Sequence, residues 1–289
     1  MCGIALTLIE LMIYIVVCFA ALLICFAIGF GIMKLITRGK RNVSLLKKAI
    51  LTFLFGIALM VMLGTGYLSV FHKAEQRAMD ALKGNQAVAV TAVDGGYFFD
   101  GPEGDTAMIF YPGAKVACEA YAPLMLEIAE SGIDCFLADM PFNFAVFGGN
   151  NAEKFLDTYQ YKSWIMSGHS MGGMVAADYA AKHPERINGL VLLAAYPPKR
   201  IENGMAFLSI YGSEDGCLNR KEYEKGRVNR PDEAEELIIE GGNHAQFGDY
   251  GTQQRDGEAS MTREEQQKIT AECICGWSES AILPRLSER

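Results

Sequence analysis

Histidine is scarce in this sequence, and no pattern in it would hold a metal. Four His are spread over 289 residues, and the eight Cys form neither a CxxC pair nor a regular framework. Cys2, Cys18 and Cys25 belong to an apolar N-terminal stretch, which leaves Cys118, Cys135, Cys217, Cys273 and Cys275. Five is odd and the spacing is not zinc-like, so a zinc ribbon or a disulfide-stapled scaffold is not indicated. The bland reading is that these thiols are small buried hydrophobes. Internal repeats and low-complexity segments are lacking too.

Clustered positive charge is missing from most of the chain. Residues 86–289 hold 17 Lys or Arg against 31 Asp or Glu, a net of −14, which sets nucleic acid aside as a partner because phosphate contacts need basic clusters. Residues 1–85 run the other way, with nine Lys or Arg against three acids. Within that part, charge is almost absent from two stretches. Leu11 to Ile36 carries only Lys34, and Ala49 to Phe71 carries no charged residue. A helix of roughly 20 apolar residues crosses a hydrocarbon core about 30 Å thick. Two transmembrane helices are therefore predicted, at about 11–36 and 49–71, making residues 1–71 a membrane anchor in the lipid bilayer. The first run is too long for a signal peptide's apolar centre, and no basic segment precedes it. Between the runs lie Lys34, Arg38, Lys40, Arg41, Lys47 and Lys48 with no acid among them. By the positive-inside rule this loop is cytoplasmic. A multi-pass cell-membrane protein with an extracytoplasmic C-terminal part is expected, although the odd cysteine count pulls mildly against an oxidising compartment.

Residues 72–86 are short, polar and mixed in charge, and read as a connector to a globular domain over 87–289. A domain of about 200 residues buries roughly 70% of its unfolded surface and needs no staples. Short apolar runs alternate there with longer helical ones. Ala87 to Val93 and Gly96 to Phe99 suggest an opening antiparallel pair. Strands are predicted at 107–111, 135–138, 164–167, 190–194, 207–211 and 237–239. Helices are predicted at 119–131, 152–159, 171–182 and 263–278, with a polar helical stretch near 220–225. In the first of these, Tyr121, Leu124, Met125 and Ile128 share one helical face. Thr262 and Glu265 are spaced as a capping box at the start of the last. Continuous apolar strands separated by helices predict an α/β fold with a mostly parallel sheet covered on both faces. Ligands bind beyond the carboxyl ends of such strands, so the chemistry belongs in the segments that follow them.

After the strand ending near Ser167 comes Gly168-His169-Ser170-Met171-Gly172, followed by Gly173 and a helix. The GxSxG string alone is weak, but strand, turn and helix in that order give it weight. Such an elbow needs Gly168 and Gly172 because the turn is tight, and it sets the serine hydroxyl beside a helix N-terminus. A seryl hydroxyl is a weak nucleophile until a base removes its proton. Among the four histidines, His72 abuts the apolar run, His169 sits inside the elbow pointing away, and His183 closes a helix. His244 follows a late strand and is the candidate base. Asp215, after the strand at 207–211, lies between Ser170 and His244 in chain order and is the candidate orienting acid. Glu214 is its local rival, with Asp139 and Glu202 further off. An oxyanion hole would use the backbone N–H of Met171 and one from the loop after Tyr111, where Ala114 is favoured over Lys115. Phe142, Phe144, Val146 and Phe147 could wall an apolar pocket for a small-molecule acyl substrate, or lie in the core.

The segments FYPGAKV, LADMPFNFAVFGGN, MSGHSMGG, IYGSEDG and GGNHAQFGDYG occur in this order. Together they resemble the small serine hydrolases of the α/β-hydrolase superfamily, close to the dienelactone-hydrolase-like group, over Ile109 to Ser278. The resemblance implies an α/β-hydrolase fold, a triad of Ser170, Asp215 and His244, and acyl transfer to water without metal or organic cofactor. Dienelactone hydrolases proper use a cysteine nucleophile, so their substrate is not carried over. The same constellation could instead pass an acyl group to an alcohol or amine, as in a membrane acyltransferase, or survive in a catalytically silent binding module.

Overall fold

The computed structural model describes residues 23, 24, 26–31, 34, 35, 44–102 and 104–282. The chain divides into two compact units, Met1–Val70 and Phe71–Arg289.

In the first unit, helix α1 covers Leu45–Ser69 and is capped by Ser44, whose Oγ accepts from Lys47 N at 3.3 Å. That cap starts the helix four residues earlier than the apolar run alone suggests. Its segment Lys47–Ser69 is the one helix among the described residues long and apolar enough to cross a membrane. Phe53, Leu54 and Met62 on it are all more than half exposed. The other predicted membrane helix, at 11–36, falls largely outside the described residues; within it, Phe26 stacks on Phe53 with centroids 5.7 Å apart.

The second unit is built on an eight-stranded sheet: β1 (Ala89–Val93), β2 (Gly96–Asp100), β3 (Thr106–Tyr111), β4 (Asp134–Ala138), β5 (Ser163–His169), β6 (Gly189–Leu193), β7 (Ala206–Gly212) and β8 (Glu235–Ile239), in the order β1-β2-β4-β3-β5-β6-β7-β8. The pairs β1–β2 and β2–β4 are antiparallel, and β4, β3, β5, β6, β7 and β8 run parallel. Every residue of β3 through β7 is buried, as expected of strands covered on both faces.

Helices α2 (Gln76–Ala81), α3 (Ala122–Glu130), α4 (Ala152–Leu156), α5 (Met171–Lys182), α6 (Arg220–Gly226) and α7 (Arg263–Trp277) complete the unit. One core contains Leu124 and Ile128 of α3 with Ile274 and Trp277 of α7. The other contains Phe155 of α4 with Ala176, Ala177 and Ala180 of α5. The α7 capping box is formed: Thr262 Oγ1 accepts from Glu265 N at 3.2 Å, and Glu265 Oε2 accepts from Thr262 N at 2.8 Å.

Three stretches differ from expectation. The helix predicted from Glu119 opens as a 3-10 turn over Cys118–Tyr121 and becomes α-helical at Ala122, because Pro123 is confined to the first helical turn. The helix predicted to reach Tyr159 stops at Leu156, and the chain beyond turns so that Tyr159 packs on Phe136, centroids 4.7 Å apart. Residues 72–86, expected as a connector, are part of the second unit. Ala78 is fully buried, Arg77 Nη1 reaches Asp249 Oδ2 at 2.9 Å, and His72 forms a parallel bridge with Val116.

Candidate active site

Strand β5 ends at His169 and helix α5 begins at Met171, so Ser170 alone makes the turn. Its backbone is left-handed, φ 53° and ψ −124°, a strained conformation for a residue with a Cβ. Ser170 N donates to Leu193 O at 2.9 Å, which ties the turn to β6. The flanking glycines are required by contact. A Cβ on Gly168 would lie 2.7 Å from the Gly172 carbonyl carbon, and one on Gly172 would lie 2.2 Å from Pro112 O and 2.3 Å from Tyr111 O. The first turn of α5 therefore rests directly on the main chain that follows β3.

That loop holds an open donor. Gly113 N donates to Tyr121 Oη at 3.1 Å, and Lys115 N donates to Asn143 O at 2.7 Å. Among the described residues, the amides of Ala114 and Met171 have no hydrogen-bond acceptor. The Met171 amide, at the N-terminus of α5 beside Ser170, is a donor of the kind that stabilises nearby negative charge.

The acid and the imidazole meet. Asp215, in the turn after β7, and His244, in the turn after β8, are joined by a 2.8 Å hydrogen bond between Oδ2 and Nδ1. Both side chains are essentially buried. Asp215 Oδ1 accepts from Cys217 N at 2.9 Å and Leu218 N at 2.7 Å, which fixes the carboxylate and leaves Oδ2 for the ring. The rival Glu214 is engaged by Ser213 Oγ instead. With Nδ1 held by Asp215, Nε2 is at the free end of the ring. Among the described residues no hydrogen bond joins it to Ser170 Oγ; such catalytic contacts are often long without substrate and tighten around it.

Two neighbours of the site escaped the sequence reading. Asp256 stands in the loop between β8 and α7. Its Oδ1 accepts from Gly216 N (3.1 Å), His244 N (3.2 Å) and Gly257 N (3.0 Å), and its Oδ2 from Ala245 N (2.8 Å). Nothing in the local pattern marks it among the domain's many acids. The second is His169, which does not point away. It is buried, and its ring centroid lies 4.4 Å from that of His244. Tyr121 Oη accepts from Gly113 N and shares a 2.8 Å hydrogen bond with His169 Nδ1. The other ring nitrogen, Nε2, is buried and has no hydrogen-bond partner among the described residues. Burial, and then the nearness of His244, hold His169 well below the usual histidine range, so the ring is neutral.

Cysteine is not poised for attack here. Burial, with the carboxylates of Asp256 and Asp215 nearby, pushes the Cys217 thiol up to about 11. Among the described residues, no cluster of three or more His, Cys, Asp or Glu could hold a metal ion. The predicted pocket residues lie outside the core instead of in it. Phe142 and Phe147 are 59% and 57% exposed, Phe144 is half-buried, and the three rings form an edge-packed cluster on the surface after β4.

A family model described as "Alpha/beta hydrolase family" matches residues 107–268. A non-heme haloperoxidase-like protein of Mycobacterium phage D29 is 32% identical over 99 residues, 30% of this chain and 35% of that protein. The match thus spans about a third of that relative's length. Among solved structures, a CIB-like hydrolase from Thermoplasma acidophilum aligns with a TM-score of 0.51 and 14% identity, covering 66% of this chain and 100% of that one. A dienelactone hydrolase from Anabaena variabilis aligns with a TM-score of 0.50 and 15% identity, covering 68% of this chain and 100% of that one. At such identity these two establish the fold.

Proposed function

The chain belongs to the alpha/beta hydrolase family, and from that premise we propose that it is a serine hydrolase cleaving a carboxylic ester or related acyl compound through an acyl-enzyme on Ser170. The observation that carries this reading is the buried 2.8 Å pair of His244 Nδ1 and Asp215 Oδ2, set at the same sheet edge as the strained serine.

In this reading the reaction runs through the following steps. Ser170 Oγ attacks the carbonyl carbon while His244 Nε2 takes its proton, and the negative charge on Asp215 stabilises the imidazolium that forms. The carbonyl oxygen becomes an oxyanion and is received by the Met171 and Ala114 amides. Collapse breaks the ester bond, and the departing alcohol takes the proton from His244. Water then attacks the acyl carbon with His244 as base, releasing the acid and restoring Ser170.

A fluorophosphonate probe tests the assignment, since it phosphonylates an activated seryl oxygen with loss of fluoride. Label is expected on the parent chain and absent from Ser170→Ala. Equal labelling of both would place the nucleophile elsewhere, and no labelling of the parent would favour a silent fold.

The exposed apolar surface of α1 supports anchoring of the chain in a bilayer, and the basic residues between Lys34 and Lys48 support a cytoplasmic loop with the hydrolase unit on the other face. Protease added outside intact cells should then cut the hydrolase unit; complete protection would reverse that topology.

A further inference from the structure

Exposed aromatic rings are uncommon on a strongly acidic domain, and here they are concentrated in one loop. Residues 140–152 contain no Asp, Glu, Lys or Arg, although the domain around them carries a net charge of −14 over residues 86–289. Within that loop Phe142, Val146 and Phe147 are 59%, 55% and 57% exposed, and Phe147 packs edge-on against Phe142 with centroids 5.9 Å apart. The backbone is bent to present them. Phe142 and Asn143 both have positive φ, 58° and 56°, which a bulky aromatic residue adopts only under constraint. A contiguous apolar patch of this kind marks a docking surface rather than scattered surface hydrophobes.

The main chain indicates what the patch meets. Asn143 O accepts from Lys115 N at 2.7 Å, and Lys115 O accepts from His72 N at 2.7 Å, so the aromatic loop, the loop carrying Ala114 and the entry of the chain into this unit are bonded in series. Only Val70 and Phe71 separate His72 from Ser69, the last residue of an apolar helix long enough to cross a membrane. Three Cα–Cα steps span at most roughly 11 Å. If that helix spans a bilayer, His72 cannot leave the lipid headgroup region, and the hydrogen-bonded loops go with it. Aromatic rings without neighbouring charge suit that interface, where they settle at the boundary of headgroups and acyl chains. An anionic protein or a nucleic acid would instead require positive charge that the loop lacks.

From this series of contacts we infer that the loop carrying Phe142, Val146 and Phe147 docks into a lipid bilayer surface, so that the mouth of the catalytic site opens at the membrane. The inference rests on the proposed anchoring by α1 and not on the proposed reaction, since a silent fold would dock in the same way; a chain that fails to float faults the anchor, whereas one that floats without quenching faults the docking alone.

The test reads lipid contact, not turnover. The full chain is reconstituted into phosphatidylcholine vesicles with either plain or brominated acyl chains and recovered by flotation. The variants are Phe147→Trp and, as a control, Val228→Trp. Val228 is 74% exposed and lies in a 3-10 turn, Arg227–Asn229, whose main chain is bonded to Arg200 and Ile201 and not to the aromatic loop. The native Trp164 and Trp277 are buried, 7% and 4% exposed, so the parent chain supplies the background. Brominated lipid should reduce the added emission of Phe147→Trp by about twofold and leave that of Val228→Trp nearly unchanged, because bromine quenches only rings that reach the acyl region. Equal quenching of the two variants, no quenching of Phe147→Trp, or failure of the chain to float would each overturn the proposal. Absent quenching together with concentration-dependent self-association would assign the patch to a second copy of the chain and likewise overturn it.

Discussion

The carboxylate of Asp256 holds His244 by its main chain, with Oδ1 accepting from His244 N at 3.2 Å and Oδ2 from the next amide, Ala245 N, at 2.8 Å. The same Oδ1 accepts from Gly216 N at 3.1 Å, one residue beyond Asp215. One side chain thus ties the turn bearing the proposed base to the turn bearing its orienting acid. The length of the Asp215–His244 hydrogen bond is set by two loops, and Asp256 is their common strut.

Replacing Asp256 with Ala should therefore impair catalysis without touching a reacting atom. Four amides lose their acceptor, but Asp256 is only half-buried and water can enter. The stability cost should sit near the low end for such losses, about 1 kcal/mol. Misplacing the base by a fraction of an ångström is costlier for rate, and kcat should fall about 10- to 100-fold with KM little changed. Asp256→Asn, which keeps one carbonyl acceptor, should recover part of the loss. Steady-state kinetics on a short-chain ester with urea unfolding checks both. Unchanged kcat in the Ala variant would show that the two turns hold their positions unaided.

What could be read beforehand followed the range of the interactions concerned. The elbow at Ser170 and the strand end at Tyr111 were legible because strand, turn and helix are specified by neighbours in sequence, and the end of β7 was read one residue short of Gly212. Asp215 and His244 were nominated by their order along the chain and their places after strands, but Glu214 met the same criteria, and only the 2.8 Å contact between Asp215 and His244 separates the two acids. Asp256 was not, since its partners lie up to 40 positions away in a polar loop without periodicity. The exposure of Phe142 and Phe147 was undecidable for a related reason: an apolar residue in a loop faces inward or outward according to what else packs there. The polar character of 72–86 masked its packing, where the small residues Ala78 and Ala81 on one face of α2 were the available hint.

Burial of a neutral His169 makes stability depend on pH. Its folded-state value is depressed, so the unfolded chain binds the proton first and acid favours unfolding. The contribution is fully present above the unfolded value of about 6.5 and is lost as pH falls toward the folded one. Between pH 7.5 and 5.5 this residue should lower stability progressively as the unfolded chain takes up the proton that the buried ring does not. Urea titrations followed by the fluorescence of buried Trp164 and Trp277 would measure it. The His169→Gln variant should be less stable at pH 7.5, having lost its bond with Tyr121, yet show a flatter dependence on pH. A slope identical to the parent's would mean that other groups dominate this window.

A pair of glycine substitutions separates helix propensity from the contact that builds the site. Gly172 and Gly276 both lie in helices, α5 and α7, and Ala at an unconstrained helical position is favoured over Gly by about 0.5–1 kcal/mol. A Cβ on Gly276 meets nothing within 4 Å, so Gly276→Ala should stabilise by that amount and leave turnover unaltered. A Cβ on Gly172 would lie 2.2 Å from Pro112 O, a main-chain atom that cannot rotate away as a side chain can. Either α5 or the loop after β3 must shift. Overpacking of this kind costs about 1–3 kcal/mol, which exceeds the propensity gain and reverses its sign. The shift also separates the Met171 amide from that of Ala114, and loss of one oxyanion donor typically lowers kcat about 100- to 1000-fold. The pair is informative because the chemical change is the same at both positions. Stabilisation of both variants with turnover retained would mean that the elbow tolerates a methyl group, and that the close approach of α5 to Tyr111 and Pro112 does not hold the site together.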